Sequence, residues 1–247
     1  MDLTYSFKSA VPSDVVERYT WAETRNAAAV FQASNPEEFD HLIQVLRTFH
    51  VYDSDLLTPG GNRGQIPIRL DTHFERLGWR AVRIDMKTML VGKAKKSNLD
   101  RSDYDDVFLR SDVSNSGYEV DNMRRRVALD VEWNAKDGNL DRDMSAYRAL
   151  YDLGLIDVAC LITRDHQSIR RLTQDDLQSD DAYRRLGTST TTNIEKVKPR
   201  MTRGDGGGCP LLVAAISRET WAGKDVPVPS RIDYGHAPRL QKVRLGN

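Results

Sequence analysis

Residues 120–133 read VDNMRRRVALDVEW, and the reading of this stretch decides what kind of chain surrounds it. From Arg126 to Trp133 the residues alternate as in a strand: Val127, Leu129, Val131 and Trp133 point one way, and Ala128, Asp130, Glu132 and Asn134 the other. Asp130 and Glu132 therefore share a face. Asp121 lies nine residues before Asp130, a distance that an Asn-containing turn folds back, bringing its carboxylate to the same strand edge. Three carboxylates so placed repel one another at neutral pH unless a cation sits among them. Hard oxygen ligands favour Mg²⁺, which keeps several waters and can activate one of them for attack on a phosphodiester. Acidic side chains that merely face water at a strand edge would give the same pattern, and the motif alone leaves both readings open.

At 247 residues the chain is long enough to bury a real core and is expected to form a single domain over 1–247. No apolar run approaches the roughly 18 residues of a membrane span, and the start, MDLTYSFKSA, lacks a basic and then apolar leader, so the expected address is the cytoplasm without a membrane partner. Cys160 and Cys209 sit in apolar or glycine-rich surroundings without metal spacing and read as small buried hydrophobes. The five histidines show no metal spacing either and read as structural. Lys plus Arg and Asp plus Glu number 36 each, giving zero formal charge, but the signs are segregated. Acidic runs at 100–106 and 173–181 are offset by Arg124 to Arg126, by KVKPRMTR at 196–203, and by Arg231, Arg239, Lys242 and Arg244. Local patches set the field that a DNA strand feels, so the zero total excludes little.

Along the chain, Pro36 opens a helix whose Phe39, Leu42, Ile43, Leu46 and Phe49 fall on one face. The glycine-rich TPGGNRGQIP at 58–67 has neither Walker spacing nor a phosphate-holding lysine, and is expected to be a loop in which Asn62 and Arg63 touch DNA. A short helix at 72–77 and a strand at 79–86 follow. The polar run at 93–116 is expected to be a surface excursion. After the carboxylate strand comes a helix at about 141–153 with Met144, Tyr147, Leu150 and Tyr151 inward, ended by Gly154. The uniformly apolar 155–163, LIDVACLIT, reads as a strand covered on both faces and parallel to the carboxylate strand, a βαβ crossover. A helix at 179–186, a polar and basic segment at 187–208 and a core strand at 210–217 complete an α/β chain with a central mixed sheet flanked by helices.

These ordered motifs resemble the BglII/BstYI group of type II restriction endonucleases, within the wider PD-(D/E)xK nuclease class. The resemblance rests on Asp121, eight intervening residues, Asp130, one residue and Glu132, within RVALDVEW, together with YRALYDLGLIDVACLIT, STTTNIEKVKPRMTRGDGGGCPLLV and HFERLGW. The group usually carries glutamine where this chain has Glu132, and more commonly glutamate where it has Asp130. No lysine occupies the third motif position, so a metal and a carboxylate would activate the water. The resemblance implies that Asp121 and Asp130 hold Mg²⁺, that Glu132 orients the nucleophilic water or adds a ligand, and that a homodimer cuts both strands of palindromic double-stranded DNA. It further implies 5′ overhangs and suggests a GATC-containing site. A nicking or repair nuclease of the same fold, and a regulator that binds DNA without cutting it, are the alternatives.

The DNA-facing residues are expected in the segment 187–208. Ser189, Thr190, Thr191, Thr192 and Asn193 offer hydroxyls and an amide to bases or phosphates, and Lys196, Lys198, Arg200 and Arg203 suit guanine edges or phosphates. A solvated helix with polar caps would have the same composition.

Overall fold

The computed structural model describes residues 1–58, 64–96, 104–186 and 191–229. Four of the expected DNA contacts, Asn62, Arg63, Ser189 and Thr190, lie outside the described residues, as does the basic tail from Arg231 onward. In chain order the elements are α1 (Phe7–Ala10), α2 (Ser13–Val16), β1 (Tyr19–Glu23), α3 (Ala27–Ser34), α4 (Pro36–Thr48), α5 (Asp53–Leu57), α6 (Gln65–Arg76), β2 (Arg80–Lys95), β3 (Tyr104–Arg124) and β4 (Val127–Val131). There follow α7 (Asp137–Asp152), β5 (Val158–Arg164), α8 (His166–Asp175), α9 (Asp180–Leu186), α10 (Ile194–Arg203) and β6 (Leu211–Ile216). The strands form one six-stranded sheet in the order β1-β6-β5-β4-β3-β2. β4, β5 and β6 are parallel, whereas β1 pairs antiparallel with β6 and β3 antiparallel with β4, so the sheet is mixed as expected.

Every residue of β4, β5 and β6 is buried, because helices cover both faces of these strands. One core joins Val127, Leu129, Val131 and Trp133 to Val158, Cys160, Ile162, Leu212 and Ala214, and to Phe31, Phe39, Leu42, Leu46, Leu70 and Phe74 of α3, α4 and α6. Residues of the other parity, Ala128, Ala159, Leu161 and Val213, are equally buried but stand outside this core. Their side belongs to α7, whose Tyr147 reaches Asp130. The inward face of α4 is the one the sequence predicts, and each of its large apolar side chains contributes about 1.5–3 kcal/mol by leaving water. Cys160 and Cys209 are buried and unbridged. Among the described residues no helix is long and apolar enough to cross a membrane.

Several expectations need correction. The helix expected at 72–77 runs from Gln65 to Arg76, since Pro67 occupies its first turn, where a missing N–H costs nothing. The helix expected from 141 starts at Asp137. Of the polar excursion expected at 93–116, the described residues other than Lys96 belong to the 16-residue β2 and the 21-residue β3. The basic segment at 196–203 is helical despite Pro199, with Ile194, Val197 and Met201 buried. α8 was not expected at all; the Asp165 carboxylate caps it by accepting the Ser168 N–H at 2.8 Å.

The chain divides into two compact units, Met1–Ala81 with Val120–Asn247, and Val82–Glu119. Within the second unit β2 alternates between half-buried and exposed residues up to Lys87, and Met89, Leu90, Val91 and Val113 are exposed.

Candidate active site

The geometry starts from strand register. Asn122, Met123 and Arg124 pair with Leu129, Ala128 and Val127, and continuing this register by one residue sets Asp121 opposite Asp130. The hairpin turns at Arg125, which has φ 47°, so the reversal falls on arginines and not on Asn122. Asn122 is instead buried and donates to Asp71 of α6 at 2.9 Å, tying the end of β3 to a helix. The Asp121 N–H donates to Asp130 Oδ1 at 2.7 Å, and Asp121 Oδ2 accepts from the Val131 N–H at 3.4 Å. A slip of one residue would send Asp121 to the other face of the sheet.

Glu132 lies one residue past β4, pinned by its backbone. Its N–H donates to the Ile162 carbonyl at 2.8 Å, and its carbonyl accepts the Thr163 hydroxyl at 2.8 Å. Asp130 and Glu132 are buried, whereas Asp121 is exposed. The three acids thus form a pit with one member at its mouth.

A fourth acid, Asp143 of α7, was missed by sequence reasoning. It is 2% exposed, and a hydrogen bond joins its carboxyl to that of Glu132, which requires a proton on one of the two. Its signal was present: Asp143 precedes the inward Tyr147 by four residues, so the two share a helix face. Tyr147, expected to be a core residue, is core, but its hydroxyl also donates to Asp130 Oδ2 at 2.7 Å. Asp143 Oδ2 is buried without a hydrogen-bond partner.

The electrostatics follow from burial. Desolvation first, then the charges of Asp121 and Asp143, push the Asp130 carboxyl up to about 7. Burial, then the charge of Asp143, holds Glu132 above the ordinary range; burial raises Asp143 too, against the Arg142 guanidinium 3.4 Å from its Oδ1 and the hydrogen bond with Glu132. Such a pit favours either bound protons or a cation. Among the described residues no three His, Cys, Asp or Glu side chains already converge as a metal cage. The donors are nevertheless all hard oxygens, and the orphaned Asp143 Oδ2 and the raised carboxyls fit a divalent cation in chemical kind. Arg124, Arg125 and Arg126 do not offset this charge: they pair with Glu37, Glu38 and Asp157.

The expected DNA-facing residues are only partly available to solvent. Thr192 and Asn193 are buried; the Thr192 N–H donates to the Ala135 carbonyl at 2.8 Å, and Asn193 Oδ1 caps α10 by accepting the Lys196 N–H at 3.1 Å. Lys196, Lys198 and Arg200 are half-buried on α10 and Arg203 is exposed. Arg200 pairs with Asp141 at 2.6 Å and Arg203 with Asp205 at 2.7 Å. Thr191 is half-buried beside the segment after β4, bridging to Lys136. Gly64, which closes the glycine-rich loop, lies against Trp133 and Asn134.

A mixed sheet flanked by helices, with an acid cluster at the end of a central parallel strand, defines a restriction-endonuclease-like fold. A family model described as restriction endonuclease BglII/BglIII matches residues 19–216, and the chain belongs to this family. It is therefore a type II restriction endonuclease, a site-specific deoxyribonuclease acting on DNA, and such enzymes generally use a divalent metal. The match begins and ends on Tyr19 and Ile216, partners in the β1–β6 pair, so it takes in the sheet from one edge strand onward. No curated protein matches the chain.

Proposed function

We propose that the protein hydrolyses both strands of duplex DNA at a short palindromic site with Mg²⁺ as its metal. The buried Asp130 carboxyl carries this reading, because it is pushed up to about 7 between the charges of Asp121 and Asp143 and ionises readily only with a cation beside it. Asp121 and Asp130 would hold the cation, which when bound supplies Lewis acidity and a more acidic water. Asp121, at the mouth, meets the scissile phosphate side. Asp130 is oriented by the Tyr147 hydroxyl and the Asp121 N–H, both of which favour its ionised form against burial. Glu132, fixed by its backbone to β5, orients the attacking water or adds a ligand to the cation.

Thr191, Lys196, Lys198, Arg200 and Arg203, with Asn62, Arg63, Ser189 and Thr190, are proposed to face DNA, whereas the buried Thr192 and Asn193 hold the segment in place. A palindrome has two equivalent half-sites, so a homodimer with one active site per subunit cuts each strand. The whole chain is proposed to serve as one nuclease in the cytoplasm, with a GATC-containing target and 5′ overhangs. Digestion of a DNA of known sequence with Mg²⁺, followed by sequencing of the ends, tests activity, site and overhang together. Discrete linear fragments are expected, whereas open circles alone would mark a nickase. Asp121→Asn and Asp130→Asn proteins that cut as fast as the parent would overturn the site assignment.

A further inference from the structure

Arg164, the last residue of β5, is 2% exposed. A guanidinium so deep is costly to desolvate and ordinarily lies against a carboxylate. Here both of its acceptors are neutral: Nη1 donates to Asn134 Oδ1 at 3.1 Å and Nη2 donates to Thr191 Oγ1. Its Nε is buried with no partner, and its guanidinium stacks on Trp133, 5.6 Å from the ring centroid. Apolar residues of equal volume would hold this junction as firmly, so stability alone does not account for the charge.

The placement of its partners gives the charge a use. Asn134 and Trp133 directly follow Glu132, whose backbone is fixed to β5 by Ile162 and Thr163. Thr191 and Thr192 begin the segment proposed to face DNA, and run against Lys136 and Ala135 through the Thr191–Lys136 bridge and the Thr192 N–H. Arg164 therefore spans two strips of backbone, one leading from the acid cluster and one leading to α10. Its planar fork holds both acceptors in fixed directions, as a flexible ammonium cannot. Thr191 and Asn134 are thus joined through one rigid group.

We propose that Arg164 is a positioning residue that couples the seating of DNA on the Thr191–Arg203 segment to the alignment of Glu132. It touches neither substrate nor metal and acts through Asn134 and Thr191. The proposal rests on the reading of that segment as DNA-facing, and the experiment separates the two.

The cut site is first mapped from the ends of fragments made by the wild-type enzyme, and a duplex carrying it serves as substrate. Arg164→Lys, Thr191→Val and the double variant are then compared with the wild type in single-turnover kcat, KM and thermal midpoint. Coupling predicts that each single variant lowers kcat by about tenfold or more with KM within about threefold, and that the double variant is no slower than the slower single one. Unchanged kcat with a lowered midpoint makes Arg164 a packing residue only and overturns the proposal. A raised KM with kcat held makes it a direct DNA contact and overturns it too, as do independent effects that multiply in the double variant. The Lys196→Ala/Lys198→Ala protein tests the underlying reading. If its KM and the salt dependence of its binding match the wild type, the segment does not face DNA, whatever Arg164 does.

Discussion

The Tyr147 hydroxyl donates to Asp130 Oδ2 at 2.7 Å, inside a helix–sheet contact from which both side chains are almost wholly excluded from water. The bond favours the ionised carboxylate and opposes the burial that raises it. Tyr147→Phe keeps the ring and its packing but removes the donor. A hydrogen bond to a charged group is worth about 1.5–3 kcal/mol, and 1.36 kcal/mol corresponds to one pH unit. The acid limb of the kcat/KM profile is therefore expected to move up by about one pH unit or more, with the fold retained. An acid limb that stays in place would reduce Tyr147 to a packing residue.

The metal-free protein is expected to lose stability as pH rises. Asp130 titrates at about 7 in the folded state against 3.8 ordinarily, so between those values the folded chain holds a proton that the unfolded chain has released. Its contribution is intact below about pH 4 and lost by about pH 7, on the order of 4 kcal/mol at most. With EDTA the thermal midpoint should fall between pH 5 and pH 8 by about 5–10 °C. Mg²⁺ should restore it at pH 8, where Asp130 and Asp143 are ionised, and change little at pH 5. A midpoint indifferent to Mg²⁺ at pH 8 would count against cation binding by these acids.

Gly117, in the Val82–Glu119 unit, has the Ile84 backbone carbonyl where a Cβ would stand, and its N–H donates to Asp85 Oδ1 at 3.1 Å. Gly117→Ala forces backbone against backbone, which no rotamer change relieves. Limited proteolysis should then cut within 82–119 faster than in the wild type while the unfolding midpoint of the remainder changes by only a few degrees. Equal cleavage rates would show that the two strands tolerate separation at this point.

The carboxylate strand was legible because its two faces differ: Val127, Leu129, Val131 and Trp133 enter one core, and the acids stand on the other side. β5 was legible because burial on both faces leaves no room for polar residues except at its end, where Arg164 sits. The β2–β3 strands at 93–116 were not, since strands of the smaller unit with exposed residues need no apolar alternation, and their polar composition matches a loop. α10 was obscured by Pro199 and by hydroxyls that read equally well as base contacts, one of which, Thr192, is in fact buried. Asp143 was hidden because sequence reading assigns acids on a helix to water. Only the heptad relation to Tyr147 and Leu150 places it inside.

Glu132 departs from the glutamine usual in the enzymes this chain resembles, and Asp143 gives the departure a measurable consequence. With Glu132, the carboxyl–carboxyl bond exists only while a proton is held between the two acids. Glu132→Gln supplies Asp143 with a permanent N–H donor in place of the O–H that is lost when Glu132 ionises. The metal-free variant should therefore match the parent near pH 7, where Glu132 still holds its proton, and unfold at a higher temperature than the parent as the pH rises through about 9. A full negative charge is lost from the cation's surroundings, so the Mg²⁺ concentration for half-maximal cleavage should rise by roughly tenfold, equivalent to about 1.4 kcal/mol. Cleavage itself should persist, because a carboxamide oxygen can still orient water or ligate a hard cation. Glu132→Ala offers neither oxygen nor donor and should be far slower than the glutamine variant at saturating Mg²⁺. Equal rates for the two would mean that Glu132 acts only by its charge, and that the water is oriented by another group.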